Sequence, residues 1–421
     1  MKSCFGVNMV KICKNNIFNF FEYIIAISFL LHCSTMWSYI PEIRGIFSGI
    51  NYFFLLIGTV GCILLSLKKI IANHRRTRNT FISVFALIAY FFVYYIVTSS
   101  NLTNIFRFAT AWILLFAYFR WSKDKHNAVS VLGKYKKMVV LVAVVSIIFW
   151  IFGSQFGVIR PSSEIYSDWS DRYVNSYMYL YFEPQYIHGF WGSSILVRNS
   201  AIFTEAPMCA LAFCTALLVE LFLEKKTNLF VCGVLTIGIL TTISGTGYIV
   251  LILAYYFYFI LSNKKGIFYQ AVRVFLVFLS FGVVIGLYYI LANRVTSLSG
   301  NIRIDDLKAG IQAWKEKLIF GNGIYNLSAI QKHMSSFRSY NVGFSNSIFQ
   351  ILSDGGIYLF GLYLVSGIKG IMTCLIKKDT YGTVFIILVI VLFALVISSY
   401  FNLTMCVFIM MSLGFLHSKR S

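Results

Sequence analysis

Two charged residues stand at the start of a long apolar segment, where an ionised side chain is costly. Arg198 and Glu205 lie seven residues apart at the mouth of the segment 201–223. Seven residues make about two helical turns, so a helix would place both side chains on nearly one face. Charges at membrane depth are functional hypotheses by default. The two residues are therefore candidate site residues, and a purely structural Arg–Glu pair is the alternative.

A second group of charged residues lies in the segment 292–344, which also contains His333 as a candidate for proton transfer. The segment carries seven basic residues: Arg294, Arg303, Lys308, Lys315, Lys317, Lys332 and Arg338. Guanidinium groups hold phosphate oxygens through paired hydrogen bonds, so this group indicates an anionic ligand. The alternative is that a long loop escapes the charge bias that governs short membrane loops.

A third segment, 154–200, is rich in aromatic and polar residues. It contains the run from Asp168 to Tyr173, followed by Tyr177, Tyr179, Tyr181, Phe182, Glu183, Tyr186 and Trp191. Aromatic faces can stack on sugar rings while carboxylates bind hydroxyl groups. An interfacial belt of Trp and Tyr at the membrane surface would have the same composition.

The elements that position these residues are membrane helices. The chain has 421 residues, of which 58% are hydrophobic and 12% charged, and this composition excludes a water-soluble enzyme. Apolar runs of about span length predict an all-α integral membrane protein, a single polytopic domain over 1–421. The twelve predicted spans are 18–37, 48–67, 80–98, 105–119, 138–153, 201–223, 229–244, 247–261, 270–291, 345–373, 382–398 and 402–416.

The basic residues predict the orientation of these spans. The net charge of +21 is concentrated in alternate short loops, such as those around Arg76, Lys136 and Lys265. Short cytoplasmic loops are enriched in Lys and Arg, so both termini are predicted to be cytoplasmic. The charge excess is then a topology signal and does not indicate nucleic-acid binding. The long loops 154–200 and 292–344 fall on the outer face, where loops of such length tend to be functional.

The second long loop is predicted to contain an amphipathic helix over 302–320. Its apolar stripe consists of Ile304, Leu307, Ile311, Trp314 and Leu318, at steps of three and four residues. Asn301 is a candidate N-cap, Asp305 and Asp306 suit the positive helix start, and Gly321 is a candidate stop. Such a helix would rest on the membrane or on the bundle and turn its charged face to the site.

Common catalytic motifs are absent from the sequence. It contains no Walker loop, no HExxH, no GxSxG and no CxxC, and most of its nine cysteines fall inside predicted spans. These cysteines are expected to pack as small apolar residues. The sequence therefore predicts neither a metal site nor a nucleotide cofactor.

Three ordered elements resemble the bacterial O-antigen polymerase and ligase superfamily. The first is the run from Arg198 to Pro207, and the second joins Arg303 with Ala313-Trp314 and the segment from Leu318 to Asn326. The third, from Phe344 to Gly356, is similar to the family's His-Asn motif at the span that follows the second loop. Two positions depart from the family pattern: Ser345 stands where ligases usually have the histidine, and Thr246 where many relatives have an arginine. The missing histidine favours the polymerase over the ligase.

The resemblance implies a metal-independent glycosyltransferase of GT-C-like fold in the bacterial inner membrane. Its donor and acceptor would be glycans on undecaprenyl pyrophosphate, and a chain-length regulator is a possible partner. Arg303 and Arg198 would bind the pyrophosphate, with Arg338 and Arg294 as second choices. Glu205 would orient the acceptor or an arginine, with His333 as the second candidate, and Asn346 would contact substrate. The alternatives are an O-antigen ligase, a lipid-linked oligosaccharide flippase, or an assembly partner without activity.

The orientation can be tested with reporter fusions. Fusions at Arg76, Lys136 and Lys265 should report a cytoplasmic location, and fusions at Ser170 and Ser335 a periplasmic one, because basic short loops stay inside. Alkaline phosphatase and green fluorescent protein activities give the measurement. One clear reversal in this set would contradict the predicted topology.

Overall fold

The protein is mostly helical and has the helices of a multi-pass membrane protein. Six helices are long and apolar enough to cross a membrane, and five shorter apolar helices accompany them within the described part of the chain. The computed structural model describes residues 2–98, 100–124, 127–188, 195–262, 266, 270, 298–338 and 343–419.

Fourteen α-helices are found among the described residues. They are α1 (Lys2–Leu31), α2 (Arg44–Leu65), α3 (Leu67–Ala72), α4 (His74–Thr98), α5 (Leu102–Ser122), α6 (Ser130–Phe149), α7 (Ala206–Leu218), α8 (Leu229–Thr241), α9 (Gly245–Leu261), α10 (Leu298–Glu316), α11 (Leu327–Gln331), α12 (Ser347–Ile376), α13 (Thr380–Leu395) and α14 (Asn402–Leu413). Wider π-helical turns, Trp150–Gln155 and Val219–Leu223, extend α6 and α7.

The helices match most of the predicted spans in position. Eleven of the twelve predicted segments contain a helix, and the ninth, 270–291, lies outside the described residues. The segment 229–261 forms two helices joined at 242–244, as expected for a hairpin. Five of the eleven helices are shorter than a full span, so the count of twelve spans stays a prediction.

The first long loop corrects the expectation of a purely helical fold. It contains β1 (Ser163–Ser167), β2 (Arg172–Tyr177), β3 (Tyr181–Phe182), β4 (Tyr186–His188) and β5 (Ile195–Val197), arranged as an antiparallel three-stranded sheet and an antiparallel pair. Ile165 and Val174 face each other across β1 and β2 and pack with Phe182 on Met36 and Ile40, which follow α1. Burial of this apolar face gives the loop a small core of its own.

The two ends of the bundle differ in composition. The loop side carries the segments 154–200 and 298–344. The basic side carries short loops that contact one another, because Asp124 pairs with Lys69 and with Arg76. A carboxylate in α1, Glu22, is buried near this side and pairs with Lys123 and Lys134.

Helix α12 is broken at Gly356. This glycine has φ 58° and ψ −162°, a conformation that is essentially confined to glycine. The break removes the helical bonds that would join residues 357 and 358 to Ser353 and Asp354. Instead, the N–H groups of Ile357 and Tyr358 donate to the carbonyls of Leu318 and Ile319, at 3.0 and 2.9 Å.

The second long loop also satisfies the carbonyls released by the break. The N–H groups of Asn322 and Gly323 donate to the carbonyls of Ser353 and Asp354, each at 2.8 Å. Gly321, with φ 68°, lies so close that a β-carbon on it would meet the Asp354 carbonyl carbon at 2.4 Å. The segment 318–323 therefore takes the place of the missing helical turn, as backbone buried in a membrane protein requires.

Replacement of Gly356 by alanine should destabilise the protein. A β-carbon there would lie 2.3 Å from the Ile319 carbonyl oxygen, and the backbone strain alone costs roughly 1–3 kcal/mol. The control is Gly361→Ala in the same helix, where no atom lies within 4 Å of the new β-carbon. Thermal unfolding in detergent should show a lower midpoint for Gly356→Ala only. Equal midpoints for the two variants would contradict the tight contact.

Candidate functional site

Arg198 links the first long loop to the turn between α8 and α9. It follows β5, and its guanidinium donates to the carbonyls of Thr242 and Ile243 at 3.0 and 3.2 Å. It also donates to Gln185 Oε1 at 3.1 Å, and that same oxygen accepts the N–H of Ala206 at the start of α7. The side chain is half-buried. The position of Arg198 is therefore set by the strand β5 that precedes it, by Gln185 and by the α8–α9 turn.

Glu205 immediately precedes α7 and is not part of a helix with Arg198. Its backbone is extended, with φ −154° and ψ 155°, so the expectation that both residues share one helix face is wrong. Pro207 lies in the first turn of α7 and favours a helix start there. The Glu205 carbonyl accepts the N–H groups of Met208 and Cys209, at 3.1 and 3.2 Å. Glu205 is thus the N-cap residue of α7, and its side chain forms no capping hydrogen bond.

The Glu205 carboxyl lies in the field of two arginines. Burial raises the pKa of this carboxyl, which lies just outside the membrane-spanning helix, to about 7, and the charges of Arg198 and Arg303 act to lower it. Arg303 reaches the same place from α10, where it is exposed, and its Nη2 donates to Thr246 Oγ1 at 3.3 Å. Arg198, Glu205 and Arg303, all singled out in the sequence, thus lie together near the α8–α9 turn on the loop side. We call these three residues the Arg–Glu–Arg cluster.

Arg338 forms a buried ion pair with two carboxylates of α10. Its Nη1 lies 2.7 Å from Asp306 Oδ1 and 3.3 Å from Asp305 Oδ2, and only 2% of the residue is exposed. Further bonds run to the carbonyls of Ile302 and Gly343, at 3.2 and 2.6 Å. Because two carboxylates surround this guanidinium, we assign it to holding α10 against the end of the loop rather than to binding phosphate.

The other sequence candidates have different contacts or lie outside the described residues. His333 Nε2 lies 2.9 Å from Glu316 Oε1, and Glu316 is thirteen residues beyond Arg303 on α10, about 20 Å along the helix. Asn346 caps α12, because its Oδ1 accepts the N–H of Phe349 at 3.0 Å. Arg294 lies outside the described residues.

Helix α10 confirms the helical prediction but corrects its limits. It runs from Leu298 to Glu316, so Asn301 lies inside it and not at its N-cap. Its buried residues are Asp305, Asp306, Ala309, Gly310 and Ala313. The predicted apolar stripe is half-buried or exposed instead: Ile304, Leu307, Ile311, Trp314 and Leu318. Small residues and paired carboxylates, rather than the large apolar ones, face the bundle.

The aromatic residues of the first long loop divide into two sets. Tyr177, Tyr181 and Phe182 are buried in the packing beneath the strands, whereas Tyr173 is 69% exposed and Tyr179 is 45% exposed. The buried set stabilises the loop. The exposed set alone could contact a sugar or the membrane surface.

A cavity of about 300 Å³ lies beside the cluster, and sequence reasoning did not predict it. Its lining includes His32, Tyr39, Tyr325, Gln350, Tyr400 and Met208, the last from the first turn of α7. Ser34, another lining residue, accepts the N–H of Thr204 at 3.0 Å, which connects the cavity wall to the residue before Glu205. Hydroxyl, amide and aromatic groups together suit a polyhydroxylated ligand.

Asp354 lies behind this cavity and was also missed as a functional candidate. It is 1% exposed, its Oδ2 accepts the hydroxyl of Tyr400 at 2.5 Å and the N–H of Tyr325 at 3.2 Å, and its Oδ1 has no hydrogen-bond partner within the described chain. Two of the cavity's tyrosines are thereby anchored. A single acidic residue inside the apolar run 345–373 is the signal that could have identified it.

The cluster offers charge but no metal ligands in sufficient number. Within the described ranges, no group of three His, Cys, Asp or Glu side chains could hold a metal ion. Two guanidinium groups and a carboxyl of near-neutral pKa can stabilise an anion and exchange a proton. No model of a known protein family matches this chain, and no curated protein matches it.

Proposed function

We propose that this protein is an O-antigen polymerase, a glycosyltransferase at the periplasmic face of the bacterial inner membrane with both termini in the cytoplasm. The observation that carries the proposal is the proximity of Arg198 and Glu205, from one stretch of the chain, to Arg303 from α10. The resemblance in the sequence implies that Arg303 and Arg198 bind a lipid-linked pyrophosphate and that Glu205 orients the acceptor or an arginine. The hydroxyl-rich cavity beside the cluster adds support, because it suits a sugar acceptor.

In this proposal, one hydroxyl group of the acceptor glycan attacks the anomeric carbon of the donor. The new glycosidic bond forms as the bond between that carbon and the pyrophosphate oxygen breaks. The leaving undecaprenyl pyrophosphate gains negative charge, which the guanidinium groups of Arg303 and Arg198 stabilise. The hydroxyl proton passes to the Glu205 carboxylate, whose pKa near 7 suits a base at neutral pH.

Arg303 should be required for polymer formation. Arg303→Ala removes a charge-assisted contact worth about 1.5–3 kcal/mol, a loss of roughly 10- to 150-fold in rate if it acts in the transition state. Arg303→Lys keeps the charge but loses the planar fork, so it should also be impaired. The measurement is the lipopolysaccharide ladder on a gel, normalised to protein level by immunoblot.

The controls for Arg303 are Lys315→Ala and Lys317→Ala. Both lysines are exposed around the C-terminal end of α10, and each replacement removes one positive charge. Their ladders should resemble those of the native protein. A native ladder from Arg303→Ala, or a lost ladder from Lys317→Ala, would place the phosphate contact elsewhere. Cells that lack the protein should carry single-repeat lipopolysaccharide, and bare core would instead indicate a ligase or flippase.

Activity should increase with pH through about 7 if Glu205 accepts the proton. The carboxyl is protonated below its pKa and cannot act as a base there, so activity should fall as pH decreases through 7. Glu205→Gln should remove this step and lower the rate. His333→Ala should retain the step, because His333 contacts Glu316, at the opposite end of α10 from Arg303. Polymer formation by the purified protein across pH 5.5–8.5, an interval of roughly three units around the pKa, gives the measurement.

A further inference from the structure

A second and larger cavity, of about 660 Å³, opens on the basic side of the protein, opposite the Arg–Glu–Arg cluster. It lies between α1, α6, the end of α7, the start of α8 and the C-terminal segment. Five lysines and two glutamates line it: Lys134, Lys136, Lys137, Lys226, Lys419, Glu220 and Glu224. The proposed polymerisation makes no use of this cavity.

The inner wall of the cavity is held rigidly by ion pairs. Lys136 Nζ lies 2.5 Å from Glu220 Oε2 and 3.0 Å from Glu224 Oε1. Lys134 pairs with Glu22. Both lysine side chains are about nine-tenths buried, since 10% of Lys136 and 11% of Lys134 is exposed. Each lysine is therefore fixed in place by the carboxylates with which it pairs.

The outer rim adds positive charge, because the five lysines of the lining outnumber its two glutamates. Lys137 and Lys226 are exposed, and neither forms an ion pair with a residue that the structure describes. Glu22, which lies beneath the wall, is already shared between Lys123 and Lys134. A concave surface with apolar surroundings concentrates the field of such charges, so the cavity attracts anions.

One wall of the cavity is apolar and continues onto exposed apolar surface. Val140 and Val231 line it, and Leu229 and Phe230, at the start of α8, are 81% and 69% exposed. A soluble anion would need only the lysines. A ligand that uses both surfaces must combine a phosphate with a hydrocarbon chain.

We propose that this cavity binds the phosphate headgroup of an acidic membrane lipid. Lys137 and Lys226 contact the phosphate at the rim, and the ion-paired Lys134 and Lys136 form the rigid wall behind it. The acyl chains lie against the wall of Val140 and Val231. The site is independent of the proposed glycosyltransferase activity, because it lies at the other end of the bundle.

The test is titration of the purified full-length protein with dioctanoyl-phosphatidylglycerol, with dioctanoyl-phosphatidylcholine as the zwitterionic comparison of zero net charge. The variant carries Lys137→Ala and Lys226→Ala together. Since each basic residue near an anionic lipid contributes a substantial attraction, its affinity for phosphatidylglycerol should fall roughly 10- to 30-fold. The matched control carries Lys225→Ala and Lys317→Ala, which removes the same charge from exposed positions outside the cavity lining.

The outcomes separate the proposal from its alternatives. Weaker binding in the cavity variant alone supports the site, whereas an equal loss in the control would show a general charge effect and overturn it. Tight binding of inorganic phosphate that displaces the lipid would identify a site for a soluble anion and overturn the lipid assignment. Thermal unfolding in neutral detergent should give equal midpoints for both variants, and Lys226→Glu provides a second variant if the double replacement fails to fold.

Discussion

The arrangement of the loop side depends on one constraint, the need to satisfy backbone polar groups inside a membrane helix. A break in such a helix exposes N–H and C=O groups that lipid cannot bind. At Gly356 the two N–H groups and two carbonyls released by the break are all paired with the segment 318–323. Gly321 and Gly356 are both required, because a β-carbon on Gly321 would clash with the backbone of Asp354 and one on Gly356 with the backbone of Ile319. The second long loop is therefore part of the hydrogen bonding of α12.

The hydrogen bonding of the segment 318–323 to α12 determines where α10 places its charged side chains. The segment that repairs the break follows the end of α10 at Glu316, and the ion pair of Arg338 with Asp305 and Asp306 holds the helix near its other end. Arg303 lies next to that clamp, and its guanidinium is directed to the α8–α9 turn. Charges positioned in this way need little reorganisation when an anion forms, which is the main advantage of a built electrostatic site.

The sequence by itself determined the helical framework and the residues worth testing. Apolar runs of span length must become helices in lipid, because only internal hydrogen bonding satisfies their backbone. Helices accordingly occupy eleven of the predicted segments, and the step of three and four residues in 302–320 was sufficient to identify α10. Arg198 and Glu205 were recognisable from sequence because charge at the start of an apolar segment is costly. Arg303 was recognisable among the basic residues of the second long loop and through the family resemblance.

Only the tertiary structure decided which polar groups are already satisfied. Arg303 and Arg338 look alike in the sequence, but the carboxylates that enclose Arg338 lie more than thirty positions away. The strands of the first long loop depend on packing against Met36 and Ile40, which no local pattern encodes. The repair at Gly356 likewise joins backbone groups that are about thirty-five residues apart. Periodicity and hydropathy are local properties, whereas the satisfaction of buried charges and backbone groups depends on contacts between distant segments, so the folded chain alone determines it.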